Sequence, residues 1–189
     1  NYALDFDGSD YVGIGGHNDI NNYSSCAQKT IEAWFRTNNK SSSTKQIIYE
    51  QGGGTRGLNI YIQSGTLYVG GWNRRTVQQG ESNWNPGTYL STNSINSNQW
   101  HHVALTLNGG STVSANVLKM YLDGNYISSG DGSRLWNHNP ANIGRTRAGS
   151  RYHNNITGNG YTFNGKIDEV RIWNVERTAS QIAAKKDTI

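Results

Sequence analysis

Short runs in which apolar and polar residues alternate dominate this sequence and leave little room for helix. Within residues 30–37, Ile31, Ala33 and Phe35 fall on one side of an extended chain, whereas Glu32 and Arg36 fall on the other. A period of two is the pattern of a strand with one buried face. Comparable runs recur at 3–7, 10–14, 46–50, 57–62, 66–72, 100–107, 117–122, 125–129, 142–144 and 166–173. The sequence therefore predicts an all-β protein.

The connections between these runs are rich in Gly, Asn, Ser and Thr, and the 189 residues include 23 glycines. Ser64-Gly65 and Asp123-Gly124 predict tight hairpin turns. The single helix prediction covers 178–186, where Thr178 and Gln181 have the spacing of a capping box. No repeat or long linker divides the chain, so we expect one domain over 1–189. We expect function in the long connections at 15–29, 38–45, 73–88 and 130–164.

Composition excludes several classes of protein. No apolar run exceeds three residues, as at 103–105, far short of the roughly 20 residues that a membrane helix needs, so no membrane insertion is expected. The single cysteine, Cys26, excludes an internal disulfide and a cysteine-based zinc cluster. The net charge is +4 and reflects few acids more than many bases, so nucleic acid is not a predicted partner. The chain starts at Asn1 without a methionine, and we expect other domains of a parent polypeptide around it.

Five segments resemble the strands of laminin-G-like jelly rolls in the concanavalin A-like lectin/glucanase superfamily, and they occur in the family's order. They are Ala3-Leu4-Asp5-Phe6-Asp7-Gly8 with Asp10-Tyr11-Val12, Thr30-Ile31-Glu32-Ala33-Trp34-Phe35, Trp100-His101-His102-Val103-Ala104, Leu118-Lys119-Met120-Tyr121-Leu122-Asp123-Gly124, and Gly165-Lys166-Ile167-Asp168-Glu169-Val170-Arg171-Ile172-Trp173-Asn174. The resemblance implies a two-sheet antiparallel jelly-roll sandwich with one short C-terminal helix. The fold hosts lectins, adhesive modules, hydrolases and lyases, so it does not name the ligand.

Catalysis is not predicted. Hydrolases of this fold carry paired acids on one strand because glycoside cleavage needs two carboxylates at a defined separation. None of the five glutamates (Glu32, Glu50, Glu81, Glu169 and Glu176) has a second acid at such a spacing. The lyase pattern of related jelly rolls is also missing, since Gln46-Ile47-Ile48 has no histidine. We therefore expect neither hydrolase nor lyase activity.

A structural calcium ion is the one predicted cofactor. Asp7-Gly8-Ser9-Asp10 is an acidic turn whose carboxylates and carbonyls suit Ca²⁺. In relatives such an ion often ties the N-terminal loop to an aspartate of the closing strand, and the resemblance implies Asp168 for that role. The predicted metal residues are Asp7, Gly8, Asp10 and Asp168. The alternative is that Asp7 and Asp10 only form the turn by bonding their own backbone. His101-His102 alternate across a strand and cannot chelate one ion together.

Aromatic and basic residues near the long connections predict a ligand site. A sugar ring stacks on a flat aromatic face, and guanidinium forks bind hydroxyls and carboxylates. Trp72, Trp84 and Trp136 lie at strand ends or in loops, whereas Trp34, Trp100 and Trp173 fit core positions. Gly70 and Gly71 are expected to leave room for a sugar beside Trp72. The predicted site is Trp72, Asn73, Arg74, Trp84, Arg145 and Arg147.

Two functions remain in competition. The first is a non-catalytic, lectin-like carbohydrate-binding module, secreted or at the cell surface, for a glycan such as an acidic polysaccharide. The second is a laminin-G-like adhesive or spacer module that binds protein or nothing. No acid occurs between Asp131 and Asp168, a stretch that holds Arg134, Arg145 and Arg147. The positive electrostatic field of this stretch suits an anionic ligand. The alternative is an ordinary solvated basic surface.

Overall fold

The computed structural model describes residues 2–17, 24–74, 83–138, 140–146 and 149–185. Two six-stranded antiparallel sheets make up most of it. The first sheet has the order β1-β14-β3-β8-β9-β10, with β1 at Leu4–Asp7, β14 at Asn164–Trp173, β3 at Gln28–Thr37, β8 at His101–Asn108, β9 at Ser114–Leu122 and β10 at Asn125–Gly132. The second has the order β2-β11-β4-β5-β6-β7, with β2 at Val12–Ile14, β11 at Ala141–Ile143, β4 at Gln46–Gly52, β5 at Arg56–Gln63, β6 at Thr66–Asn73 and β7 at Trp84–Thr92.

The main apolar core combines side chains from both sheets. Ile31, Ala33 and Phe35 of β3 are fully buried in this core with Leu67 and Val69 of β6, so the face predicted from alternation is confirmed. Burying a side chain of this size contributes roughly 1.5–3 kcal/mol, and this layer is the main source of stability. The all-β jelly-roll sandwich predicted from the sequence is confirmed.

Turns and caps follow the local sequence signals. Ser64 and Gly65 both have positive φ, at 48° and 84°, as the type I′ hairpin turn requires. The helix α1 occupies Ala179–Lys185. The Thr178 hydroxyl accepts from the Gln181 amide N–H at 3.3 Å, and the Gln181 side chain accepts from the Thr178 N–H at 2.9 Å. The helix packs Ile182 against the outer face of the first sheet, in a cluster with Ala104 and Tyr121.

Besides the two-residue strands at 150–151 and 157–158, one long strand was missed by the sequence analysis. Residues 84–92 form β7, although 73–88 was predicted to be a long connection. Pro86 and Gly87 hide the strand because both are normally turn residues. Strand β7 lies at the edge of the second sheet, where a proline is tolerated because fewer backbone N–H groups need a ladder partner.

A third layer covers the outer face of the second sheet. We call residues 144–163 the covering segment; its described parts include the short strands β12 (Ser150–Arg151) and β13 (Thr157–Gly158) and a 3-10 turn at His153–Asn155. Tyr152 packs there with Ile47 and Tyr61 in a small buried cluster. The Asn59 side-chain amide donates to the Arg151 carbonyl at 2.6 Å, which ties this layer to β5.

Within the described residues, no helix is both long and apolar enough to cross a membrane.

Candidate functional site

Both tryptophans of the predicted ligand site are buried. Trp72 has no exposed surface, and its indole N–H donates to the Gly53 carbonyl at 2.8 Å. Trp84 is 3% exposed and donates to the Thr88 hydroxyl at 3.0 Å. Neither ring presents a free face to a ligand, which corrects the prediction that they stack directly on a sugar. The reason is that Trp72 packs against Gly57 and Tyr89, whereas Trp84 belongs to strand β7 and to the main apolar core.

The space predicted beside Trp72 is also filled. A side chain at Gly70 would meet the ring of Tyr89, and one at Gly71 would overlap the ring of Trp84. These glycines therefore make room for aromatic rings of the protein itself. The third predicted aromatic, Trp136, is half-buried, and the Arg134 guanidinium lies 4.5 Å from its ring centroid.

The remaining predicted residues do not form one cluster. Asn73 is fully buried, whereas Arg74 is exposed and donates from Nε to the Asn85 side chain at 3.1 Å. Arg145 follows β11, which is three strands from β6 in the second sheet, or roughly 14 Å at the usual strand spacing. Arg147 lies outside the described residues. The structure therefore separates Arg74 from Arg145.

Arg145 lines an open cleft of about 570 Å³ at the β2–β11 edge of the second sheet. Its guanidinium carbon lies 5.0 Å from the centroid of the Tyr11 ring, and that tyrosine is 52% exposed. The cleft is lined by Tyr11, Gly13, Ile14, Gly15, Gly16, Pro140, Asn142, Arg145 and Thr146. An accessible aromatic face and a guanidinium thus border one concave surface with glycine walls.

The polar groups of this cleft differ in their availability: Arg145 is partly exposed, Asn142 is 5% exposed, and the Thr146 hydroxyl is bonded to the Tyr152 hydroxyl at 2.7 Å. Among the described residues, no hydrogen-bond or ion-pair partner is found for the Arg145 guanidinium or for the Asn142 side-chain amide. Backbone contacts hold the frame instead: Arg145 pairs with Thr162 in an isolated bridge, and Thr146 N–H donates to the Tyr161 carbonyl at 2.9 Å. A fixed frame with unpaired donors is suited to binding a polar ligand.

A second pair of arginines lies at the other end of the sheet. Arg151 is 5% exposed, and its pKa is lowered by burial and by the nearby positive charge of Arg74. Burial raises the pKa of Tyr89, and the charge of Arg151 partly offsets that rise. The Tyr89 hydroxyl lies close to Arg151 but has no well-aligned hydrogen bond within the described part of the chain. The Tyr89 hydroxyl and Arg151 Nε are buried, whereas Arg74 is exposed.

The predicted calcium residues are only partly brought together. The Asp7 carboxylate accepts from Ser9 N–H at 2.8 Å and from the Ser9 hydroxyl at 2.7 Å, and these bonds lower the pKa of Asp7. Asp10 accepts from Asp7 N–H at 3.2 Å. Asp7 pairs with Asn164, whereas Asp168 lies four residues further along β14, roughly 13 Å away. Asp168 therefore does not join the turn, which corrects the four-residue site.

No group of three or more His, Cys, Asp or Glu side chains in the described ranges is placed to hold a metal ion. Calcium at the Asp7–Gly8–Asp10 turn stays a prediction. His101 and His102 bind different groups, as alternation requires: His101 Nδ1 lies 2.9 Å from Asp123, and His102 Nε2 lies 3.5 Å from Glu32.

Of the residues that line the cleft, sequence reasoning assigned only Arg145 to a ligand site. Tyr11 was assigned only to a strand, and Asn142 only to a weak strand. The available signal was the pair of glycines that follows β2, Gly15-Gly16, because consecutive glycines beside an exposed tyrosine leave a surface open. The contact between Tyr11 and Arg145 joins residues 134 positions apart and has no local signature.

The two antiparallel sheets and the cleft at their edge define a jelly-roll module. The chain belongs to the laminin-G-like family of the concanavalin A-like lectin/glucanase superfamily, whose sequence profile matches residues 6–183. No curated protein sequence matches the chain.

Solved structures share the fold at low sequence identity. The sialidase CBM40 of Ruminococcus gnavus, bound to α2,3-sialyllactose, has a TM-score of 0.69 at 15% identity, with 98% of this chain and 97% of that chain covered. The ligand-binding domain of botulinum neurotoxin serotype D, in complex with N-acetylneuraminic acid, has a TM-score of 0.66 at 12% identity, with 96% and 40% covered. Mouse laminin α1 domains LG4-5 have a TM-score of 0.59 at 15% identity, with 90% and 40% covered.

Proposed function

We propose that this chain is a non-catalytic module that binds acidic glycans in the cleft beside Arg145. The observation that carries the proposal is the Arg145 guanidinium, held 5.0 Å from the exposed Tyr11 ring and unpaired with any carboxylate of the described residues. An arginine fork matches the geometry of a carboxylate or sulfate.

The other lining groups supply what a sugar needs besides charge. The outer face of Tyr11 offers a flat apolar surface for the C–H side of a sugar ring. The Asn142 amide can donate to one hydroxyl and accept from another. Gly13, Gly15 and Gly16 add no side chains, so a flat ring can approach the backbone closely. Charge, stacking and hydroxyl recognition therefore converge on one surface.

The structural neighbours support an acidic sugar as ligand. Two of them were solved with sialylated ligands, and sialic acid carries a carboxylate. These structures resemble this chain in fold alone. The proposal of an acidic ligand therefore rests on the chemistry of Arg145. A toxin binding domain and laminin domains both support a secreted or cell-surface setting within a larger polypeptide.

The absence of catalysis is part of the proposal. Glycoside hydrolysis commonly uses two carboxylates about the scissile bond. The described residues that line the cleft include no acid at all. A guanidinium and neutral polar groups can hold a glycan without cleaving it. We expect no release of reducing ends and no rise in unsaturated-sugar absorbance from glycans that bind.

The test is a glycan array followed by calorimetry with 3′-sialyllactose, a galacturonate trimer, a sulfated galactan fragment and neutral lactose. We expect at least one acidic probe to bind and lactose to bind weakly. Arg145→Gln should weaken acidic binding by roughly tenfold to hundredfold, the worth of a charge-assisted hydrogen bond. Arg36→Gln, which removes the same charge from the first sheet, is the matched control and should bind normally.

A second variant tests the location of the glycan site without changing the charge of the protein. A side chain at Gly15 meets no atom within 4 Å, so Gly15→Leu should fold normally and obstruct the cleft. Undiminished binding in both Arg145→Gln and Gly15→Leu would place the site elsewhere. Capture of a protein ligand by a chain that binds no glycan would favour the adhesive alternative.

A further inference from the structure

A second cavity, of about 310 Å³, opens beside the first sheet edge and next to the covering segment. Every residue of its lining except Gly8 carries a hydroxyl, an amide or an ammonium group. It is lined by Gly8, Asn39, Ser42, Thr44, Lys45, Gln46, Thr162 and Asn164. No carboxylate belongs to this lining in the described residues.

Lys45 is the only charged residue in that lining. It is 5% exposed, and its ammonium lies 4.9 Å from the Tyr152 ring centroid and 4.7 Å from that of Tyr161. Within the described ranges the ammonium has no hydrogen-bond acceptor and no carboxylate partner. The two rings attract the cation, but they do not replace the three acceptors that water would supply.

The walls around this ammonium are held by their own hydrogen bonds. The Thr162 hydroxyl donates to the Gly8 carbonyl at 2.5 Å, and the Ser42 hydroxyl donates to the Thr44 carbonyl at 3.2 Å. Gln46 donates to the Asn39 carbonyl at 2.6 Å. The cavity is thus built by neutral groups that bond to one another, and the Lys45 ammonium is the one charged group in its lining. An anion bound there would give this ammonium a hydrogen-bond acceptor that the described residues do not supply.

The two cavities are immediate neighbours. Arg145 lines the first and Thr162 lines the second, and these residues pair directly across an isolated antiparallel bridge. Antiparallel partners have Cα atoms about 4.5–5.5 Å apart. A ligand longer than one sugar ring, held at Arg145, can therefore extend past this bridge toward Lys45.

We propose that the Lys45 cavity is a second anion subsite, which takes the next acidic group of an oligosaccharide whose first acidic group is held by Arg145. This inference rests on the function proposed above and sharpens it. The preferred ligand then carries two negative charges on nearby sugars, and a singly charged glycan fills only the Arg145 cleft.

The experiment compares singly and doubly acidic members of the same series, using sialyllactose against disialyllactose and galacturonate against digalacturonate. Lys45→Met removes the charge and keeps an apolar stem over the tyrosine rings. We expect it to weaken the doubly acidic probe by roughly tenfold or more and to leave the singly acidic probe unchanged. Lys45→Arg should retain most of the affinity. Lys166→Met, a charge-matched change on the first sheet, should affect neither probe.

The salt dependence of affinity, measured on the unmodified chain, tests the same subsite without relying on a variant that could fail to fold. Affinity for the doubly acidic probe should fall more steeply with salt than affinity for the singly acidic one, because two charged contacts are screened instead of one. Equal salt slopes, or full affinity of folded Lys45→Met for the doubly acidic probe, would overturn the subsite while Arg145 binding stands. Absence of binding to every acidic probe would overturn the proposed function with it.

Discussion

The cations on the two sides of the sandwich differ in whether a carboxylate faces them. On the first sheet, Arg177 lies 3.3 Å from the carboxylate of Glu32, and Lys119 lies 2.7 Å from that of Glu176. On the side of the second sheet, Arg145 and Lys45 meet aromatic rings and no described carboxylate. Paired charges of the first kind hold the C-terminal helix in place. Unpaired charges of the second kind contribute little to folding and are free to bind an anion.

The largest effect expected from this contrast is on stability. Arg177→Gln leaves Glu32 buried beside His102 alone, and breaking a buried ion pair costs about 3–5 kcal/mol. At 2–4 °C per kcal/mol, Tm should fall by about 6–20 °C. Arg145→Gln is the matched variant on the other sheet and should change Tm by about 1 °C. Similar Tm losses in both variants, measured by calorimetry, would remove the distinction between the two faces.

A smaller effect is expected from giving the second sheet a carboxylate of its own. Tyr11→Glu places an acid next to Arg145 and removes the stacking ring. The new pair should stabilise the fold by no more than about 1 kcal/mol, since it is exposed. It should lower affinity for an acidic glycan about tenfold or more, because the fork is now occupied. Tyr11→Gln is the neutral control and should lose less affinity, by titration calorimetry of both variants.

The charges of the first sheet also predict a dependence of stability on pH. Burial raises the pKa of Glu176, but hydrogen bonds from Lys119 and Asn108 outweigh it and hold that pKa below 4.5. The resulting stabilisation is complete above pH 4.5 and is lost as pH falls through the lowered value. In Glu176→Gln, urea unfolding between pH 3 and pH 6 should therefore depend less on pH than in the unmodified chain. An identical slope in the two proteins would contradict the assignment.

The smallest effect concerns calcium. Because Asp168 lies outside the turn, we expect weak binding by Asp7, Gly8 and Asp10 alone. At a calcium concentration equal to Kd, linkage adds about 0.4 kcal/mol, which raises Tm by about 1 °C. Asp10→Asn should abolish this shift and Asp168→Asn should preserve it. A large drop in Tm on chelation, or a requirement for Asp168, would contradict weak binding by the turn alone.

Alternation along the chain was enough to predict the sheets, but not which aromatic residues are covered. Trp173 was predicted to be core and is 37% exposed, whereas Trp72 was predicted to bind ligand and has no exposed surface. A period of two assigns residues to two faces of a strand and cannot tell which face another layer covers. The covering segment supplies such a layer through contacts distant in sequence, for example Asn59 with Arg151.

The charge of the candidate site was more predictable than its shape. The stretch between Asp131 and Asp168 has no acid, and Arg145 within it remains unpaired among the described residues. The absence of a carboxylate beside Arg145 follows in part from composition, because the neighbouring sequence contains no acid. Only a residue distant in sequence could supply one. The ring that faces Arg145 comes from residue 11, and only the tertiary fold determines that contact.

Gly71 has no side chain, and the Trp84 ring fills the space that one would occupy. This packing limits which substitutions the two positions can accept. Any side chain at 71 would overlap the Trp84 ring and approach Leu58, so the two sites share one volume. Neither position can be substituted alone without loss of stability. A smaller residue at 84 leaves a void, and a larger one at 71 overlaps the Trp84 ring. Related sequences should therefore substitute the two positions jointly, and a library that randomises both should recover glycine with tryptophan or a larger residue with a smaller one.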